Sequence, residues 1–123
     1  MPPVKFLNER GVVMSIPLIT NNYQDEVFHE HLPVVIEFFA NWCSKCAMIS
    51  APLERIAARN KHLFIVKRVD IEVSKDTADM LGIELVPTFV VYRRGEIISY
   101  TSGIFTEATL ERRLLDMTKE SVI

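Results

Sequence analysis

Six consecutive residues, Val34-Val35-Ile36-Glu37-Phe38-Phe39, constrain the fold more than any other stretch of the chain. Successive side chains of a strand point to opposite faces, so a run that is β-branched or aromatic at both parities must be covered on both. Such a strand belongs in the middle of a sheet with helices above and below. Trp42-Cys43-Ser44-Lys45-Cys46 follows at once, and Met48, Ile49, Leu53, Ile56 and Ala57 then recur at three- and four-residue steps. This spacing predicts a helix over residues 43–60, kinked where Pro52 removes one backbone donor.

Other patterns fall in around that strand. Residues 16–20 read as a short first strand, and Asn21 and Asn22 cap a helix over 23–31. A strand over 64–70 leads to a short helix over 75–81 that ends at Gly82. Strands over 88–92 and 96–100 make a hairpin through Arg93-Arg94-Gly95, with Gly95 supplying the positive φ. Leu110, Leu114 and Leu115 give residues 106–117 a helical stripe with Thr106 at its start. The order β-α-β-α-β-α-β-β-α implies an α/β fold, a central mixed β-sheet flanked by helices on both faces. Residues 1–13 carry no clear pattern and are expected to be a poorly ordered N-terminal extension to a domain over 14–123; Met14 is an alternative start.

A chain of 123 residues fits one such domain, and that size buries roughly two-thirds of the unfolded surface. Fourteen basic and sixteen acidic side chains leave a net charge of -2, with no excess of positive charge to hold nucleic acid or an anionic membrane. No apolar run approaches the ~20 residues that span a bilayer. The first twenty residues mix charge and proline into their apolar positions, unlike a secretory signal, so a soluble, cytoplasmic protein is expected. Thiols there are kept reduced, and two cysteines separated by two residues point to a redox or metal pair rather than a structural staple.

Disulfide exchange needs one thiolate to attack and a second thiol close by to release the product. If the helix begins at Cys43, that sulfur faces unsatisfied backbone N–H groups and the positive end of the helix dipole, which suits the nucleophile. Cys46 lies one turn on, on the same face, and suits the resolving thiol. A zinc site wants four ligands; His29, His31 and His62 show no ligand-like spacing to a second pair, so metal binding would require a dimer sharing two CxxC pairs. Ser44 and Lys45 occupy the positions that tune the dithiol, Lys45 by adding positive charge near Cys43. Glu37 is a carboxylate within a strand of Val, Ile and Phe, so burial should raise its pKa.

This element order, with Trp-Cys-Ser-Lys-Cys closing the strand and Val86-Pro87-Thr88-Phe89 opening the hairpin, resembles thioredoxin over residues 16–118. Gly95 and Gly103 also fall where that family has them. The resemblance implies a thioredoxin fold and a general protein disulfide reductase serving cell redox homeostasis. It implies that Glu37 exchanges protons with Cys46, that Pro87 is cis, and that Val86 offers backbone hydrogen bonds to client proteins, with Trp42 completing the docking surface. No bound cofactor is implied, and electrons would come from a thioredoxin reductase or similar flavoprotein. Three features depart from the usual pattern: Ser44-Lys45 in place of Gly-Pro, Glu37 in place of Asp, and the helix proline one residue later. Glu at that position is more typical of protein disulfide isomerase domains. A disulfide oxidase or isomerase, and an adaptor that binds partners without turnover, are therefore the alternatives.

Overall fold

The computed structural model describes residues 6–7, 13–14, 16–19, 27 and 30–119. Its elements are β1 (Phe6–Leu7), β2 (Val13–Met14), β3 (Val34–Phe39), α1 (Ser44–Arg59), β4 (Ile65–Asp70), α2 (Lys75–Leu81), β5 (Thr88–Arg93), β6 (Glu96–Ser102) and α3 (Glu107–Thr118). β1 and β2 pair antiparallel with each other. The other four strands form one mixed sheet in the order β4-β3-β5-β6. β3 runs parallel to β4 and antiparallel to β5, which pairs antiparallel with β6.

β3 lies inside this sheet and is buried at all six positions, as its two-parity apolar pattern requires. Val35 packs with Ile49, Leu53 and Ile56 of α1 and with Leu110, Leu114 and Met117 of α3. Val34, Ile36 and Phe38 pack on the opposite face with Ile19, Val27, Val90 and Tyr92, and Leu81 of α2 lies against them. Each fully buried side chain of this size contributes about 1.5–3 kcal/mol, so the alternation holds α1 and α3 to one face of the sheet.

The predicted first strand over 16–20 shortens to a single parallel bridge between Leu18 and Arg68. Its hydrogen bonds run from Ile19 N to Arg68 O at 2.8 Å and from Arg68 N to Pro17 O at 3.0 Å. Pro17 has no amide hydrogen with which to extend the ladder, and Thr20 lies outside the described residues. Most of the helix expected over 23–31 also lies outside them; Val27 is helical and buried, whereas His31 sits in a bend.

Caps account for the remaining boundaries. Gly82 ends α2 in the left-handed region at φ 69°, and Thr106 Oγ1 accepts from Thr109 N at 3.2 Å to open α3. β5 runs one residue further than its pattern suggests, leaving Arg94 and Gly95 as the turn with φ 53° and 83°. Two successive positive φ values match the right-handed twist of a two-residue hairpin.

Candidate active site

The site forms where β3 hands over to α1. Cys43 N bonds Ala40 O at 3.1 Å, so the chain leaves the sheet through a tight turn that points Cys43 at the helix start. Cys43 is the N-cap of α1, and its Sγ accepts from Cys46 N at 3.1 Å. A sulfur here takes the place of the Ser or Asp oxygen that usually satisfies an orphan N–H. Ordered helix therefore begins at Ser44, one residue after the start predicted from the pattern. Both cysteines are free thiols, Cys43 7% and Cys46 2% exposed, packed with Phe39 and Ala40 and flanked by Ile71 and Val86.

Val86 reaches this place from 43 residues away. The Cys43 thiol donates to its carbonyl oxygen over 3.7 Å, and the Val86–Pro87 bond is cis. Gly103 N donates to Pro87 O at 3.1 Å, fastening the end of β6 to the same loop. Trp42, beside Cys43 in the chain, is 68% exposed. Ser44 and Lys45 are exposed on the first turn of α1.

Glu37 is fully buried in the middle of β3. Arg68 stands opposite it in the parallel register with β4 and donates from Nε to Oε1 at 2.7 Å. The guanidinium also lies over the Phe39 ring, 3.9 Å from its centroid. Burial pushes the Glu37 carboxyl above the usual carboxylate range, and Arg68 offsets part of that rise by charge and hydrogen bond. Glu37 Oε2 has no hydrogen-bond partner among the described residues.

Cys46 feels this carboxylate. Its thiol is pushed up to about 12, first by burial and next by its hydrogen bond with Cys43, with the negative charge of Glu37 adding to the rise. At neutral pH Cys46 is therefore a thiol, and a base must take its proton before it becomes a thiolate. Among the described residues no group of three or more His, Cys, Asp or Glu side chains is arranged to hold a metal ion.

Two parts of the site escape a reading of the sequence. Arg68 is one; its signal is a guanidinium in a strand whose alternate neighbour Val66 faces the core. Asp70 is the other. It accepts from Asn41 Nδ2 at 3.3 Å and from Glu72 N at 2.9 Å, tying the residue before Trp42 to the turn after β4.

The family model described as Thioredoxin matches residues 14–116. A thioredoxin of Porphyra purpurea is 29% identical over 102 residues, covering 82% of this chain and 95% of that protein. A mitochondrial thioredoxin of Bos taurus is 31% identical over 90 residues, 73% of this chain and 54% of that protein. A thioredoxin of Mycobacterium bovis is 26% identical over 103 residues, 84% of this chain and 89% of that protein.

Proposed function

The chain belongs to the thioredoxin family, and on that premise we propose that it works as a general protein disulfide reductase of the cytoplasm. It is a protein thiol-disulfide oxidoreductase, and Cys43 and Cys46 form its CxxC dithiol. The observation that carries the finer reading is the setting of Cys43 Sγ, between the Cys46 N–H at 3.1 Å and the Val86 carbonyl at 3.7 Å.

Cys43, as thiolate, attacks one sulfur of a client disulfide. That S–S bond breaks, a mixed disulfide forms, and the client's other sulfur leaves as a thiolate. Glu37, as carboxylate, then takes the proton of Cys46, directly or through one water, and Cys46 attacks Cys43 Sγ. The mixed disulfide breaks, the second client sulfur leaves, and the protein holds a Cys43–Cys46 disulfide. Two electrons have passed to the client. A thioredoxin reductase or similar flavoprotein returns them.

In this reading Trp42, Val86 and Pro87 dock the client, the exposure of Trp42 and the position of Val86 supporting those roles. Ser44 and Lys45 tune the potential from the first turn of α1. Residues 14–123 form the redox domain and 1–13 an extension, in keeping with a family match that opens at residue 14. The cytoplasm is the compartment this proposal names, and the mitochondrial relative names the one that fractionation must rule out. Among the described residues no helix is long and apolar enough to cross a membrane.

Dithiothreitol-driven reduction of a disulfide protein tests the activity. Turnover by the wild type and none by Cys43→Ser supports the reading; equal turnover by both removes Cys43 as nucleophile, and no turnover by the wild type above the dithiothreitol background favours an adaptor. The reduction potential decides direction, because a value at or above the cytosolic glutathione poise would make the protein an oxidase or isomerase.

A further inference from the structure

The proposed mechanism leaves a second buried carboxylate unused. Glu54 of α1 is 8% exposed and belongs to the same buried stripe as Ile49, Ser50 and Leu53. Burying a charge is costly unless partners hold it. Its Oε1 accepts from Ile16 N at 3.1 Å. The next residue, Pro17, accepts at its carbonyl from Arg68 N at 3.0 Å, and Ile19 N donates to Arg68 O at 2.8 Å. Glu54 is thus fastened to the segment that borders Arg68, while Arg68 Nε bonds Glu37 Oε1 at 2.7 Å. Strand parity places these groups on one side of the sheet. Arg68 stands opposite Glu37 in register, and Val35, two residues before Glu37, packs on Ile49, Leu53 and Ile56 of α1. A neutral acceptor would satisfy the Ile16 amide as well as a carboxylate does, so that hydrogen bond does not call for a charge here.

With both carboxylates ionised, two negative charges share one guanidinium. Among the described residues the other titratable groups on this side of Glu37 are the thiols of Cys43 and Cys46, whereas β5, α3 and residues 16–19 present apolar side chains to it. The forces on Glu37 follow from that layout. Burial raises its carboxyl most, Arg68 opposes the rise by charge and hydrogen bond, and the negative charge of Glu54 adds to it. We infer that Glu54 is a positioning residue for the second step of the exchange: it is a counter-carboxylate to Arg68, so that Arg68 orients Glu37 without fixing it as a permanent anion. Glu54 touches no reacting atom and acts through Arg68 and Glu37. The inference rests on the disulfide-reductase reading and deepens it by adding a residue to the proton transfer between Cys46 and Glu37.

The test follows a single turnover of the reduced protein with limiting dithiobis(nitrobenzoate), whose two coloured thiolates leave separately. The first leaves when Cys43 attacks, and the second when Cys46 closes the Cys43–Cys46 disulfide. The rate of the second step is then compared across pH. A weaker base is free of its proton at lower pH but takes a proton less readily. Glu54→Gln should therefore run about threefold faster than wild type on the acid side of the wild-type midpoint and about threefold slower on the plateau. It keeps an acceptor for Ile16 N. Glu54→Asp, which keeps the charge and gives up the reach to Ile16, should retain the wild-type profile. In a Glu37→Gln background, Glu54→Gln should add nothing. A second step that Glu54→Gln leaves unchanged, slows equally at every pH, or still alters in the Glu37→Gln background overturns the inference. So does a Glu54→Asp profile that follows Glu54→Gln, since the Ile16 hydrogen bond would then be the cause. If the wild type releases no first thiolate, the reductase reading itself fails.

Discussion

Arg68 Nε lies 2.7 Å from Glu37 Oε1, with Glu37 fully buried and Arg68 8% exposed, so the one carboxylate of β3 is held by a guanidinium from the neighbouring strand. Desolvation still outweighs the attraction, and the Glu37 carboxyl stays above its usual range. A single Nε–Oε1 contact leaves Oε2 without a hydrogen-bond partner among the described residues. In the proposed mechanism, Oε2 is the atom that takes the proton of Cys46 and gives it back.

Glu37→Gln keeps the shape of this side chain and removes its titration. Since the folded pKa is raised, the folded protein binds more protons than the unfolded chain between the two pKa values; the contribution of Glu37 is fully present below its unfolded pKa and lost as pH rises through the folded one. Glu37→Gln should therefore become increasingly stable relative to wild type as pH rises toward neutrality, in urea unfolding followed across pH. Its release of client from the mixed disulfide should be slower by about a hundredfold, the usual scale for loss of a general base. Unchanged release with the altered pH profile would leave Glu37 a structural residue only.

Arg68→Met should cost about 3 kcal/mol at neutral pH, because it strands a buried carboxylate. The loss should shrink in acid, where Glu37 is protonated and no charge is left unpaired. Urea midpoints at two pH values check this. An equal loss at both would mean that packing of the Arg68 stem on Phe39 dominates.

The cysteines should differ in alkylation. Cys46 is 2% exposed and its thiol is pushed up to about 12, so iodoacetamide near neutral pH should label Cys43 alone in the reduced protein. Peptide mapping by mass spectrometry reads the site of modification. Labelling of Cys46 at a comparable rate would contradict the assignment of nucleophile and resolving thiol.

Cys43 also caps α1 through its sulfur. Cys43→Ala should lower the stability of the reduced protein by about 1 kcal/mol, and Cys43→Ser, which restores an acceptor, should recover most of it. Equal unfolding midpoints for the two variants would show that the Sγ contact contributes nothing to the helix.

Several features were legible without coordinates because they depend on neighbours along the chain. Two-parity burial of β3 follows from its six residues alone, and Thr106 and Gly82 mark helix ends through backbone groups three or four positions away. The short bridge at Leu18 was not legible, because propensity promises a strand and Pro17 cannot supply the hydrogen bond that would lengthen it. Arg68 was missed for a different reason. Nothing local says which β4 residue will stand opposite Glu37, 31 positions earlier.

The sequence by itself determined where the dithiol sits, that a helix starts there, and that the strand before it is buried with a carboxylate inside, since these are set by hydrogen bonds and side-chain periodicity within a few residues. Only the tertiary structure decided that Arg68 answers Glu37, that the carbonyl of Val86 meets Cys43, and that Glu54 takes the Ile16 amide beside Arg68. Those contacts depend on strand register and loop placement, which the packing of the whole core selects, because a shift of one residue would turn every side chain of a strand to the other face.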